Sequence, residues 1–177
     1  MAEEWMSPEE IETLEEQARQ GCINATERVP TPSDWGFFAY GDAPPAIGGG
    51  AGAFLWFSDR SAMLDYVRRF MIFMLPGPMN ADWAAVSDAV HAIVDAVERS
   101  EIQLETGMIR LNKALKSFSQ LEWWGTFDLL LSSPDIYPRR VRARFRDSEN
   151  EDSDEAASPI LSLERERFLE FIQTYGV

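Results

Sequence analysis

The sequence predicts an α+β fold, predominantly helical, with a small antiparallel sheet of about three strands packed against several helices. Aromatic-rich apolar runs at Trp35–Tyr40 and Ala53–Phe57 are typical of strands, and the glycine-rich loop 41–52 between them favours an antiparallel pair. Apolar residues at helical spacing occur before and after these runs. We expect residues 1–177 to form a single domain.

The N-terminal helix is predicted from Ser7, Pro8 and Glu10, which match an N-cap, a first helical residue and the acid of a capping box. A second helix is expected directly after Ala53–Phe57. Ser58 is its predicted N-cap, because a serine hydroxyl can accept a hydrogen bond from the first turn.

Residues 81–118 carry two apolar stripes that almost join. We expect two helices, since Ser100–Gln103 matches a capping box and Gly107 weakens a continuous helix. A single long helix would instead favour a coiled-coil homodimer through residues 81–118.

The third strand is expected at Gln120–Trp124, followed by a short helix over Phe127–Leu131 with Thr126 as its N-cap. Residues 134–146 fit either a helix or a strand, and the helix is favoured because Ser133-Pro134-Asp135 resembles a helix start.

The acidic segment 147–157 is predicted to be a disordered loop, because Asp147–Glu155 carries six acids and no base. A terminal helix is expected after Ser158. Its apolar face should dock against the rest of the protein through four residues, namely Phe168, Phe171, Ile172 and Tyr175.

The formal net charge of −14 disfavours binding to nucleic acid or to an anionic membrane and favours a basic protein partner. No apolar run is long enough to span a membrane. The N-terminus is acidic where an export signal would be basic and then apolar, and the single cysteine, Cys22, excludes an internal disulfide. We therefore expect a cytoplasmic protein.

His91 is the only histidine, and on a helix Asp88 and Asp95 would share its flank. A carboxylate beside an imidazole could orient a general base, or the three side chains could bind a metal. The alternative, which we favour, is a solvated helix flank, because no second nitrogen or sulfur ligand accompanies them. We expect no metal, no cofactor and no catalytic nucleophile.

Arginines are concentrated in residues 139–146, where five of the sixteen basic residues of the chain occur. Arg140, Arg142 and Arg144 are candidates for binding an anion or a partner, because guanidinium groups pair with carboxylates and phosphates in bidentate geometry. The alternative, which we favour, is that these arginines pair with acids of their own fold.

Trp123 and Trp124 are adjacent in the predicted third strand, so their side chains would point to opposite faces of the sheet. One of them could form an interaction surface. A sheet that is covered on both faces is the simpler interpretation.

No motif in the sequence identifies a family. The leading hypothesis is a non-catalytic binding protein for a basic partner, in the manner of an immunity protein or an antitoxin. The alternative is a small enzyme or small-molecule-binding domain with a cleft near loop 41–52. A phosphate-binding loop is disfavoured because the glycines precede the strand instead of following it.

Overall fold

The computed structural model contains a three-stranded antiparallel sheet with helices packed on it. The structure describes residues 6–23, 29–42, 51–73, 80–117, 126–133, 166–171 and 173–174. The named elements are α1 (Pro8–Arg19), β1 (Trp35–Asp42), β2 (Ala51–Phe57), α2 (Arg60–Phe73), α3 (Ala81–Glu98), α4 (Leu104–Lys116) and β3 (Thr126–Ser132). A C-terminal helical segment covers residues 166–171. The predicted α+β class with a small antiparallel sheet is confirmed.

Strand β1 lies at the centre of the sheet, and both β2 and β3 run antiparallel to it. The predicted pairing of the first two strands is confirmed, with Trp35 opposite Phe57 and Phe37 opposite Leu55. Both strands extend further towards the loop than the sequence predicts, and their pairing continues as far as Gly41 opposite Ala51. Residues 43–50 of the predicted glycine-rich loop lie outside the described residues.

The prediction for the third strand is wrong in its position. Residues 127–131, expected as a helix, lie in β3 and pair with β1, where Leu131 is opposite Phe37. A short apolar run has too few residues to distinguish a helix from a buried strand, and here pairing with the free side of β1 decides. The strand predicted at Gln120–Trp124 lies outside the described residues.

The sheet buries side chains on both of its faces. Phe37 and Leu55 belong to the larger core, which contains residues of all four named helices. Phe38, Phe54 and Trp56 belong to a second cluster on the opposite face. The alternation follows from the two-residue period of a strand. Burial on both faces explains why β1 and β2 read as nearly continuous apolar runs.

The C-terminal helical segment covers the second face of the sheet. Phe168 and Phe171 are fully buried there. The ring of Phe168 stacks on Phe54 at 4.3 Å between centroids and lies 5.0 Å from Phe38. The predicted docking of a terminal helix is confirmed for these two aromatics. The other two residues of the predicted face lie outside the described part of the chain.

The four named helices follow one another on the face of the sheet that carries Phe37 and Leu55. Helix α1 packs on α2, α2 on α3 and α3 on α4, and α4 also contacts β3. Cys22, just after α1, forms an isolated bridge with Phe57 of β2. Because β2 and β3 are the two edge strands, α1 and α4 lie towards opposite edges of the sheet.

The prediction of two helices within residues 81–118 is confirmed, but the predicted capping box is wrong. Helix α4 begins at Leu104, and its N-cap is Gln103, whose side chain makes no capping hydrogen bond. The apolar stripe of α3 is buried inside the chain, at Trp83, Val86, Val90, Val94 and Val97. A coiled coil through one long helix is therefore not the arrangement found.

Ser100, the expected cap of α4, instead belongs to the end of α3. Its φ of 59° is left-handed, its N–H donates to Val97 O at 3.0 Å, and the N–H of Glu101 donates to Ala96 O at 2.9 Å. This pair of bonds is a Schellman motif, which satisfies carbonyls that the last turn would otherwise leave unpaired. Arg60 of α2 adds a third donor, with Nη2 at 2.6 Å from Val97 O.

Of the N-caps predicted for α1 and α2, the first is confirmed and the second is wrong. The capping box of α1 is confirmed, with Ser7 N donating to Glu10 Oε2 at 2.9 Å and Glu10 N donating to Ser7 Oγ at 3.3 Å. The hydrogen bonds from the backbone and hydroxyl of Ser7 lower the pKa of Glu10. In α2 the capping side chain is Asp59 and not Ser58, because Asp59 Oδ1 accepts from Ser61 N at 3.2 Å.

Candidate functional site

The predicted acid–base residues lie on one helix but do not form a hydrogen-bonded group. His91 and Asp88 are exposed on α3. Asp95 Oδ1 accepts hydrogen bonds from Arg68 of α2, from Nε at 3.2 Å and from Nη2 at 2.9 Å. Within the described part of the chain, no hydrogen bond joins His91 to either aspartate. An acid–base role for these residues stays a prediction.

Arg68 is the centre of a charge network that joins α2 to α3. Its guanidinium donates to Asp65 at 2.6 Å, to Asp95 and to Glu98. Partial burial alone would lower the pKa of Arg68, but its hydrogen bonds to Asp95 and Glu98 outweigh that effect and raise it. These contacts hold two helices together, and we assign the network to the stability of the fold.

A metal site is not formed by the residues that the structure describes. No three histidine, cysteine, aspartate or glutamate side chains among them come close enough to hold an ion. Cys22 is half-buried, is not part of a disulfide and lies in the bridge beside β2.

The other predicted site residues lie outside the described ranges. They are Arg140, Arg142 and Arg144 of the arginine-rich segment, and the adjacent Trp123 and Trp124. Their roles stay predictions. The described tryptophans belong to the protein core, since Trp56 and Trp83 are buried and Trp35 packs against the larger cluster.

A candidate interaction surface that the sequence reasoning did not single out lies on α1. Glu9, Glu12 and Glu16 are all exposed and lie at i, i+3 and i+7. We call these three residues the α1 acidic stripe. The opposite side of the helix carries Ile11 and Ala18, which pack against the core. The sequence contains the pattern that predicts this surface, because helical spacing places the three glutamates on one face once the apolar face is known.

The α1 acidic stripe has no basic partner among the described residues. Among the described residues, Arg19 Nη2 of this helix pairs with Glu15 Oε1 at 3.0 Å, and Glu15 is not part of the stripe. The backbone of α1 is fixed at its start by the capping box and at its end by packing of Ala18. The stripe therefore presents three carboxylates from a defined scaffold.

Comparisons with protein-family models, with curated proteins and with solved structures gave no match for this chain. No helix in the described ranges is both long and apolar enough to cross a membrane.

Proposed function

We propose that the protein is a non-catalytic binding protein whose α1 acidic stripe engages a basic protein. The single observation that carries the proposal is the stripe itself, formed by Glu9, Glu12 and Glu16 on the exposed face of α1. The helix is capped at its start, and its exposed face is uniform in charge and unpaired within the described part of the chain.

The charge of the whole chain supports the same partner class. A net charge of −14 creates an attractive field for a basic protein and repels acidic ones. Such steering raises association rates, whereas the contacts of the stripe set the orientation of the bound partner. The rate of association should consequently fall with added salt, since charges separated by more than about 8 Å are screened at physiological ionic strength.

The geometry of the stripe defines what the partner must offer. Glu16 lies seven positions after Glu9 in the helix, which corresponds to about 10 Å along the axis. A surface that matches it carries lysine or arginine side chains over a similar length. Arginine is favoured, because its planar guanidinium binds a carboxylate through two parallel hydrogen bonds.

The proposal is tested by affinity capture from cells of the native host, with the chain immobilised and the salt concentration raised stepwise. We expect one predominantly basic protein to be retained at low salt and released as salt is raised. Recovery of no protein, or of one whose retention does not depend on salt, would overturn the proposal.

Two double variants that each lose two negative charges test whether the capture depends on the α1 acidic stripe or on net charge. Glu12→Gln with Glu16→Gln removes two charges from α1, whereas Asp82→Asn with Asp88→Asn removes two exposed charges from α3. The α1 variant should lose the basic protein and the α3 variant should keep it. Equal loss in both variants would mean that net charge alone accounts for the binding.

A further inference from the structure

Helix α4 carries the opposite charge on its exposed face. Arg110, Lys113 and Lys116 are exposed and lie on one side of the helix at steps of three residues. We call these three residues the α4 basic stripe. None of them has an ion pair with a described residue, although the chain as a whole is strongly acidic.

An exposed apolar side chain lies within the α4 basic stripe. Ile109 is 60% exposed, which makes it the most exposed large hydrophobic side chain among the described residues. At 100° per residue, its direction falls between those of Lys113 and Lys116. An apolar side chain surrounded by charges is the usual composition of a protein interface, in which the apolar part is buried and the charges form a rim.

The two stripes lie at opposite ends of the helical layer. Helix α1 is followed by the bridge to β2, and α4 contacts β3, so the two helices lie towards opposite edges of the sheet. Within one molecule the carboxylates of α1 and the bases of α4 are therefore separated by α2 and α3. Two molecules can bring them together.

We propose that the α4 basic stripe docks on the α1 acidic stripe of a second copy of this chain. Each stripe has three charges on the exposed face of a helix, and each spans about two helical turns. Such an interface joins two different surfaces. It therefore builds head-to-tail assemblies and not a closed two-fold dimer, unless the rotation between copies closes a ring.

Local attraction acts in this contact against the overall repulsion between two acidic chains. The repulsion is spread over the molecule and is screened beyond about 8 Å at physiological salt, whereas the paired stripes are in contact. The association is consequently weak and depends on concentration, because exposed ion pairs contribute little to stability individually.

The test is sedimentation velocity over a range of protein concentrations, with CD spectra to show that each variant is folded. The wild-type chain should form a series of species that grows with concentration. Reversing the α4 basic stripe, with Arg110→Glu, Lys113→Glu and Lys116→Glu, should weaken self-association at least about tenfold, since attraction becomes repulsion. Neutral variants, with glutamine at the same three positions, provide a milder loss if the reversed chain does not fold.

Complementary variants provide the decisive arm of the test. Reversing the α1 acidic stripe to lysines should weaken self-association to a similar extent, and an equimolar mixture of the α1-reversed and α4-reversed chains should restore it. A chain with both stripes reversed should again associate with itself. Restoration of this kind cannot come from a merely structural effect of either substitution.

A wild-type chain that is monomeric at every concentration would overturn the proposal. Self-association that survives reversal of the α4 basic stripe would also overturn it. In that case the stripe binds something else, such as an acidic partner or the acidic segment 147–155 of the same chain. Both proposals use the α1 acidic stripe, but only self-association uses α4. Reversal of the α4 basic stripe should therefore weaken self-association and leave capture of the basic protein unchanged, so the two proposals can fail separately.

Discussion

Gly107 of α4 lies directly against Val97 of α3, so close that a Cβ atom on Gly107 would overlap Val97 Cγ2. Val97 is 1% exposed and β-branched, so its side chain has little freedom to move away. The contact sets how closely the two helices approach. Close packing therefore explains why a glycine, which otherwise weakens a helix, occupies position 107.

We expect Gly107→Ala to destabilise the protein. The better helix propensity of alanine is worth about 1 kcal/mol, but overpacking against a stiff buried neighbour costs about 1–3 kcal/mol, so a net loss results. Urea unfolding measures it as a lower midpoint. Thr106→Ala, at an exposed position of the same helix, is the control and should be neutral or slightly stabilising. A higher midpoint for Gly107→Ala would contradict the packing described here.

Ser100→Gly should stabilise the protein by about 0.5–1 kcal/mol, because a left-handed conformation costs a residue with a Cβ atom about 1–2 kcal/mol, and glycine recovers part of that. Ser100 is exposed, so little packing is lost. The control is Ser117→Gly at the end of α4, where φ is −79°, no left-handed residue is needed and the substitution also removes the hydrogen bond from Ser117 Oγ to Ala114 O, so no gain is expected. Thermal unfolding of both variants measures the difference. An equal gain in both would exclude the proposed cause.

Arg68→Met should destabilise the protein by about 1–2 kcal/mol. The variant leaves Asp65, Asp95 and Glu98 close together without their common partner, although their exposure to solvent limits the cost. Arg68→Lys should recover only part of the loss, because an ammonium group cannot reproduce the planar array of donors. Unfolding in urea at low and high salt measures both variants. Full recovery by lysine would show that charge alone suffices.

Much of the fold is predictable because it depends on local patterns. The capping box at Ser7, the two apolar strand runs and the two separate helices of residues 81–118 all follow from spacing and propensity. The helix predicted at residues 127–131 failed for a physical reason. Three consecutive leucines from Leu129 carry no period, and the choice of strand depends on β1, almost ninety residues earlier in the chain.

The candidate site was predictable only in part. Sequence spacing correctly placed Asp88, His91 and Asp95 on one helix, but it could not show that Asp95 pairs with Arg68. That pair depends on how α2 and α3 pack. The α1 acidic stripe was within reach of the sequence, whereas the absence of an ion pair between the stripe and any described residue became visible only when the neighbouring helices were placed.

Phe168→Ala should cost about 3–5 kcal/mol, because the side chain is fully buried between the sheet and the C-terminal helical segment. Leu169→Ala, at a partly buried position of the same segment, should cost clearly less. Chemical denaturation of both variants gives the comparison. Equal small losses would mean that the segment does not cover the second face of the sheet.

The most direct test of the proposed function is the affinity of the captured basic protein for the two equally charged variants. Biolayer interferometry at physiological salt gives the dissociation constants. The double variant Glu12→Gln/Glu16→Gln should raise the dissociation constant at least about tenfold. The double variant Asp82→Asn/Asp88→Asn should change it less than about twofold. Equal affinities for the two variants would contradict a binding site on α1.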